Sequence, residues 1–299
     1  MKRINNAVLD NMLTTRFRTF RPVLLITLYN LMLLGLILLI RGFSSLTGVG
    51  TDTGMTLFVS LVVFQFLLIV FIMPALTAGL ISGERERKTL DLLLCTQMSP
   101  LSVVLGKLFS GCLFMVLCVV CSLPMVTLAY LYGGVSVVNV LSIMGCYLVT
   151  IIAVGSLGVF FSSFMKKTTT AVVLTYLAVF FLGFASSVGG YVQMAIDAAL
   201  HQNVNGYIPG YPTLWILNPA MALMELLGQS SPASQFGVLF ALGGSGGTGQ
   251  WPTMWYWELL ALVLVAALLV VLSARILAPR RGWRTWKKSK PQGVNVNNA

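Results

Sequence analysis

Residues 55–88 read MTLFVSLVVFQFLLIVFIMPALTAGLISGERERK. The run 55–82 contains no Lys, Arg, Asp or Glu, and the next six residues contain five of them. A helix rises 1.5 Å per residue, so about 20 apolar residues cross a hydrocarbon core of roughly 30 Å. The stretch can therefore span a bilayer and deliver a charged segment at one face of it. Five further stretches share this character, at 22–40, 108–131, 138–165, 168–188 and 254–278, each of at least 19 residues with an uncharged middle. The fold class expected is an all-α integral membrane protein with six transmembrane helices.

Charge orients the spans. With the connecting segments numbered alternately, one side holds 18 of the 19 Lys and Arg residues and the other holds only Arg41. The crowded side includes Lys2, Arg3, Arg16, Arg18, Arg21, Arg85, Arg87, Lys88, Lys107, Lys166, Lys167 and seven residues from Arg275 to Lys290. Translocation disfavours Lys and Arg near span ends, so that side is expected to be the cytoplasm, with both termini on it. The last outer segment, 189–253, is long enough that the rule speaks more weakly there.

Composition agrees with a membrane class. Soluble domains carry about a quarter charged residues, whereas this 299-residue chain has 9% charged and 57% hydrophobic. The net charge of +11 lies in clusters beside the spans. Anionic lipid head groups explain such clusters, and no continuous basic face for nucleic acid is present. The five cysteines, Cys95, Cys112, Cys118, Cys121 and Cys146, sit in spans or on the basic side, which leaves none for an external disulfide. Cys118 and Cys121 have C-x-x-C spacing, but in lipid they read as small packing residues. The first apolar run is too long for the core of a cleavable signal peptide.

The segments outside the spans have distinct characters. Leu9, Leu13, Phe17 and Phe20 share one helical face opposite Asp10, Asn11, Thr14, Arg18 and Arg21. That pattern predicts an interfacial amphipathic helix within 1–21, lying along the cytoplasmic surface. In the second span, Gln65, Pro74 and Gly79-x-x-x-Gly83 stand out; in the third, Pro124; in the fourth, Gly155, Gly158 and Ser162. Small residues permit close helix approach, although GxxxG is common by chance.

The inner segment 83–107 is the most charged stretch between spans. Glu84–Lys88 and Arg87–Asp91 are i, i+4 pairs, which favours the second helix continuing into the cytoplasm. Ser99-Pro100 then reads as an N-cap followed by a first-turn proline. The expectation is a structured cytoplasmic hairpin. The outer segment 189–253 is rich in Gly and Pro but holds TLWILNPAMALMELLG at 213–228, too short to cross and suited to a re-entrant or interfacial helix. GGSGGTG at 243–249 reads as a flexible link, and the tail 279–299 is basic and cytoplasmic.

Catalytic chemistry is thin. Gly243-x-Ser245-x-Gly247 matches the form of a nucleophile elbow, but no strand or helix signal flanks it and His201 is the only histidine. No catalytic, cofactor-binding or metal residues are expected. Proton- or ion-coupled carriers place ionisable residues within the bundle. The nearest here, Glu225 and Glu258, fall in the outer segment and at the outer membrane edge. No G-x-x-x-x-G-K-[ST] phosphate loop occurs, so energy for uphill movement has to arrive through a partner, with the 83–107 hairpin as its docking point.

The segment ISGERERKTLDLLLCTQMSPLSVVLGKL, residues 81–108, resembles the signature of the ABC-2-type transporter permeases. In that family the first cytoplasmic loop reads Ser/Gly-Glu-Arg-Glu, a Thr-Leu-Glu/Asp-Leu-Leu run, then Ser-Pro and Gly-Lys. The amphipathic leader, six spans and apolar outer segment are similar to its layout. The resemblance implies a permease subunit of an ATP-driven exporter in the bacterial cytoplasmic membrane. It further implies a separate ABC ATPase subunit that binds ATP and Mg, and a second permease copy or paralogue that completes the path. It implies ATPase-coupling contacts at Glu84, Arg85, Glu86, Thr89, Leu90 and Asp91. The other readings are a membrane-embedded assembly or sensor component without transport, and an ion-coupled secondary transporter. An ATPase gene beside this one separates the first reading from those two.

Single introduced cysteines near Lys88, Lys166 and Lys288 are expected to be labelled from the cytoplasm, and those near Gly48 and Asn205 from outside. Outside labelling near Lys88 would overturn the orientation.

Overall fold

The computed structural model describes residues 20–47, 53–88, 100–127, 137–201, 212–230 and 255–277. The amphipathic leader up to residue 19, the glycine run 243–249 and the tail 279–299 lie outside them. The described elements are all helical: α1 (Phe20–Thr47), α2 (Thr53–Thr77), α3 (Ser82–Glu86), α4 (Pro100–Cys121), α5 (Val137–Phe164), α6 (Thr168–Leu200), a 3-10 turn (Thr213–Leu217), α7 (Pro219–Ser230) and α8 (Trp255–Leu277). Six helical stretches, beginning at Pro22, Gly54, Pro100, Val137, Thr168 and Trp255, are long and apolar enough to cross a membrane. Pro22, Pro100 and Pro219 each stand in a first turn, where a missing N–H leaves no ladder bond unmade.

Helix α5 is the hub, packed against α2, α4, α6 and α8. Its buried face is built largely from small residues, including Ala153, Gly155, Ser156, Gly158, Ser162 and Ser163. In hydrocarbon, close backbone approach rather than apolar burial holds helices together. The fit is tight: a Cβ at Gly155 would lie 2.5 Å from Met73 Cε, and one at Gly158 would lie 2.0 Å from Thr77 Oγ1. Helices α1 and α6 are peripheral and turn Leu31, Leu38, Leu39, Phe180, Phe181 and Phe184 outward, as suits contact with acyl chains.

Two buried polar side chains find partners across helices. Gln65 Nε2 donates to Ser122 Oγ at 2.7 Å, and Tyr147 Oη donates to Val62 O at 2.8 Å. Ser122 marks a break in the third span just before Pro124, with residues 123–127 resuming the helix. Proline cannot continue the ladder, so the break falls where the sequence placed Pro124.

The fifth span runs beyond residue 188 to Leu200, and Gly189-Gly190 is a notch in it rather than the start of a loop. A Cβ at Gly190 would lie 1.9 Å from Trp215 Nε1, and one at Gly189 would lie 2.6 Å from Leu214 Cδ1. Asn218 fixes the next element: its Oδ1 accepts from Ala220 N at 3.1 Å as an N-cap of α7. Its Nδ2 donates to Ser187 Oγ at 2.8 Å and to Gly183 O at 3.1 Å. Helix α7 then buries Leu223, Leu226 and Leu227 in the common core.

Gly158→Ala is expected to lower the thermal stability of the detergent-solubilised protein by about 1–3 kcal/mol, because Thr77 is stiff at χ1 and cannot yield. Gly145→Ala, with nothing within 4 Å of the added carbon, is expected to be neutral or stabilising. Equal stability of the two variants would contradict the packing at α2–α5.

Candidate functional site

The charged segment after the second span does not continue that span's helix. Helix α2 ends at Thr77, residues 78–81 form a turn, and α3 begins at Ser82. Gly79 and Gly83 both face Thr168: Cβ atoms there would lie 3.3 Å from its Cγ2 and 3.7 Å from its Oγ1. The contact is tight at Gly79, where Thr168 would have to give way by a few tenths of an ångström, and ordinary at Gly83. The turn leaves backbone groups that water cannot reach, and neighbouring spans take them up. Ser162 Oγ accepts from both Ile81 N and Ser82 N at 2.9 Å. Lys107 Nζ donates to Leu80 O at 3.0 Å.

Successive residues on a helix diverge by about 100°, so three consecutive polar side chains on α3 reach three different neighbours. Glu84 turns toward α4 and forms an ion pair with Lys107. Arg85 Nη1 donates to Met165 O at 3.0 Å, just past the end of α5, where carbonyls lack helical partners. Glu86 Oε2 accepts from Thr168 Oγ1 at 2.6 Å in the first turn of α6. The preceding residue Lys167 offers no side-chain cap to that helix, and a carboxylate at a helix N-terminus is favourable. Bonds from the Thr168 hydroxyl and amide hold the Glu86 carboxyl, which lies beyond the apolar stretch, below the usual carboxylate range.

The i, i+4 pairing of Glu84 with Lys88 is not what forms. Helix α3 stops at Glu86, and Lys88 takes a left-handed backbone with φ 58°, so the two residues are not on one continuous helical face. The buried Lys107 ammonium claims Glu84 instead. Thr89, Leu90 and Asp91 lie outside the described residues. Of the six residues expected to couple to an ATPase, Glu84, Arg85 and Glu86 are thus brought together on one short helix and tied into the bundle. Arg87, Lys88, Lys166 and Lys167 are exposed around them.

Sequence reading missed the partners Lys107, Ser162 and Thr168. Lys107 carried a signal: it stands seven residues into a helix that is otherwise uncharged through Cys121. Elsewhere, His201 Nδ1 lies 2.9 Å from Asp197 O, and the Gly243–Gly247 motif falls outside the described residues. Cys118 is buried and Cys121 exposed, so the C-x-x-C pair does not face one cavity. Glu258, expected at the membrane edge, is fully buried in the first turn of α8.

The family model of the ABC-2 family transporter proteins matches residues 41–275. The chain belongs to the ABC-2 transporter family. No curated protein matches it. The match takes in every residue of the tied segment, from Gly79 to Thr168. An ABC-2 permease with these six helices is a multi-pass membrane protein and the permease component of an ABC transporter.

Proposed function

We propose that this permease is the membrane subunit of an ATP-driven exporter in a bacterial cytoplasmic membrane, with both termini cytoplasmic. Two copies, or one copy with a paralogue, form the substrate path, and a separate ABC ATPase binds ATP and Mg and performs the hydrolysis. The chain itself is not an enzyme. The observation that carries this reading is the set of ties made by Glu84, Arg85 and Glu86. A segment that leaves the membrane and is fastened at once to α4, the end of α5 and the start of α6 is suited to take a push from outside and share it among spans.

In this reading Glu84, Arg85 and Glu86, with Thr89, Leu90 and Asp91 further along, belong to the ATPase-coupling segment. The exposed cations Arg87 and Lys88 stand nearest the partner. Membrane lipids are the other partner. Lys166 and Lys167 lie at the same end and suit anionic head groups.

Purification in mild detergent is expected to bring down an ATPase subunit bearing a phosphate loop. Arg87→Glu with Lys88→Glu is expected to weaken that complex by about tenfold or more while leaving thermal stability near the parent's, since desolvated interfacial charges count for far more than rim charges. A chain that purifies without any ATPase, and stimulates none encoded beside it, would defeat the reading.

A further inference from the structure

Lys107 is the cation whose position the charge asymmetry explains least. A lysine at the cytoplasmic end of a span serves orientation equally well when its amine is in water, as those of Lys88, Lys166 and Lys167 are. Lys107 is instead 1% exposed, on a helix whose Val103, Val104 and Leu108 are buried as well. Burying an ammonium is strongly unfavourable unless it is paired and hydrogen-bonded. Here it is both. Its two described partners, Leu80 O and Glu84, lie four residues apart on either side of the point where the chain leaves the turn and enters α3. One ammonium thus clamps the turn and the short helix to the third span.

The other two ties are of a different strength. Glu86 is exposed and Arg85 is half-buried, so water competes for both and salt screens them. The Lys107 ammonium is itself shielded from solvent, although the Glu84 side chain it holds is 25% exposed, and it makes two bonds at once, one of them charge-assisted.

We infer that Lys107 is a positioning residue that makes α3 and α4 move as one body, so that displacement of the hairpin enters the third span first. The inference rests on the permease–ATPase reading above. It places the Glu84 carboxylate inside the permease, acting on the ATPase through the rigidity it gives α3 and not by contact.

The test uses the purified complex of this chain with its ATPase. In Glu84→Gln combined with Lys107→Met, no charge is left unpaired. The affinity of the two subunits and the KM for ATP are expected to stay within about threefold of the parent, because the exposed charges of Glu86, Arg87 and Lys88 are untouched. The permease-stimulated kcat is expected to fall by about tenfold or more, each tenfold being roughly 1.4 kcal/mol of barrier. Lys107→Arg, which keeps charge and donors, is expected to restore most of it. An unchanged kcat in the neutral pair overturns the positioning role, and so does lost association in the neutral pair with Lys107→Arg intact, since Glu84 would then be a docking contact. If the neutral pair does not fold, Glu84→Gln alone decides: it removes the ion pair with Lys107, and a kcat equal to the parent's overturns the inference. A parent chain that neither binds nor stimulates an ATPase is a different result, because it removes the functional reading itself.

Discussion

Two amide protons, those of Ile81 and Ser82, converge on one hydroxyl oxygen, Ser162 Oγ. Much of the basic end of the molecule depends on that arrangement. A helix may break at membrane depth only where neighbouring protein satisfies the freed backbone groups, and span two breaks at residues 78–81. Ser162 supplies the acceptor and Lys107 the donor, so α4 and α5 hold the break from two sides. Further along the same span, Phe71 O accepts a bond of 2.7 Å from the Tyr176 hydroxyl of α6, a further tie between this helix and another.

Such bonds require backbones in close approach, and this is the work of the small residues on α5. Gly155 and Gly158 let Met73 and Thr77 of α2 sit where a Cβ would be, which brings Ser162, on the same helix, up to the turn. Thr77 Oγ1 bonds its own Met73 O at 2.9 Å and is also the atom that fills the space over Gly158. The result is a compact junction of α2, α4, α5 and α6 at one end of the bundle. At the other end Asn218 and Trp215 play the corresponding part for α7, seated in a notch made by Gly189 and Gly190. A permease needs parts that move together as well as parts that separate, and the α3–α4 clamp belongs to the first class.

The spans were legible because hydropathy over 20 residues is a one-dimensional property. So were the turn-forming prolines: Pro100 opens α4, and Pro124 follows the break at Ser122. The charged segment was recognisable from its motif, but what its side chains do was not. Spacing suggested Glu84 with Lys88, four residues on; the partner is Lys107, 23 residues on, and no local rule ranks a distant buried cation above a near exposed one. Gly79-x-x-x-Gly83 signalled a close contact without naming Thr168 as the group that fills it. Ending the fifth span at 188 placed Gly189-Gly190 in the outer segment; here the pair serves packing within a helix, and the need came from Trp215, 25 residues away from Gly190. Thr89, Leu90 and Asp91 lie outside the described residues, and their part in coupling rests on the motif.

Amide hydrogen exchange at Ile81 and Ser82, in lipid nanodiscs, tests the junction most directly. If Ser162 holds both protons, they exchange as slowly as amides in the middle of α5, although they lie in a turn and a first helical residue. Ser162→Ala should then speed both by about tenfold or more, since a buried donor left unpaired costs about 1–3 kcal/mol. Rapid exchange of both amides in the parent protein, at the rate of an open loop, would contradict the junction and with it the transmission of force from α3 to the spans.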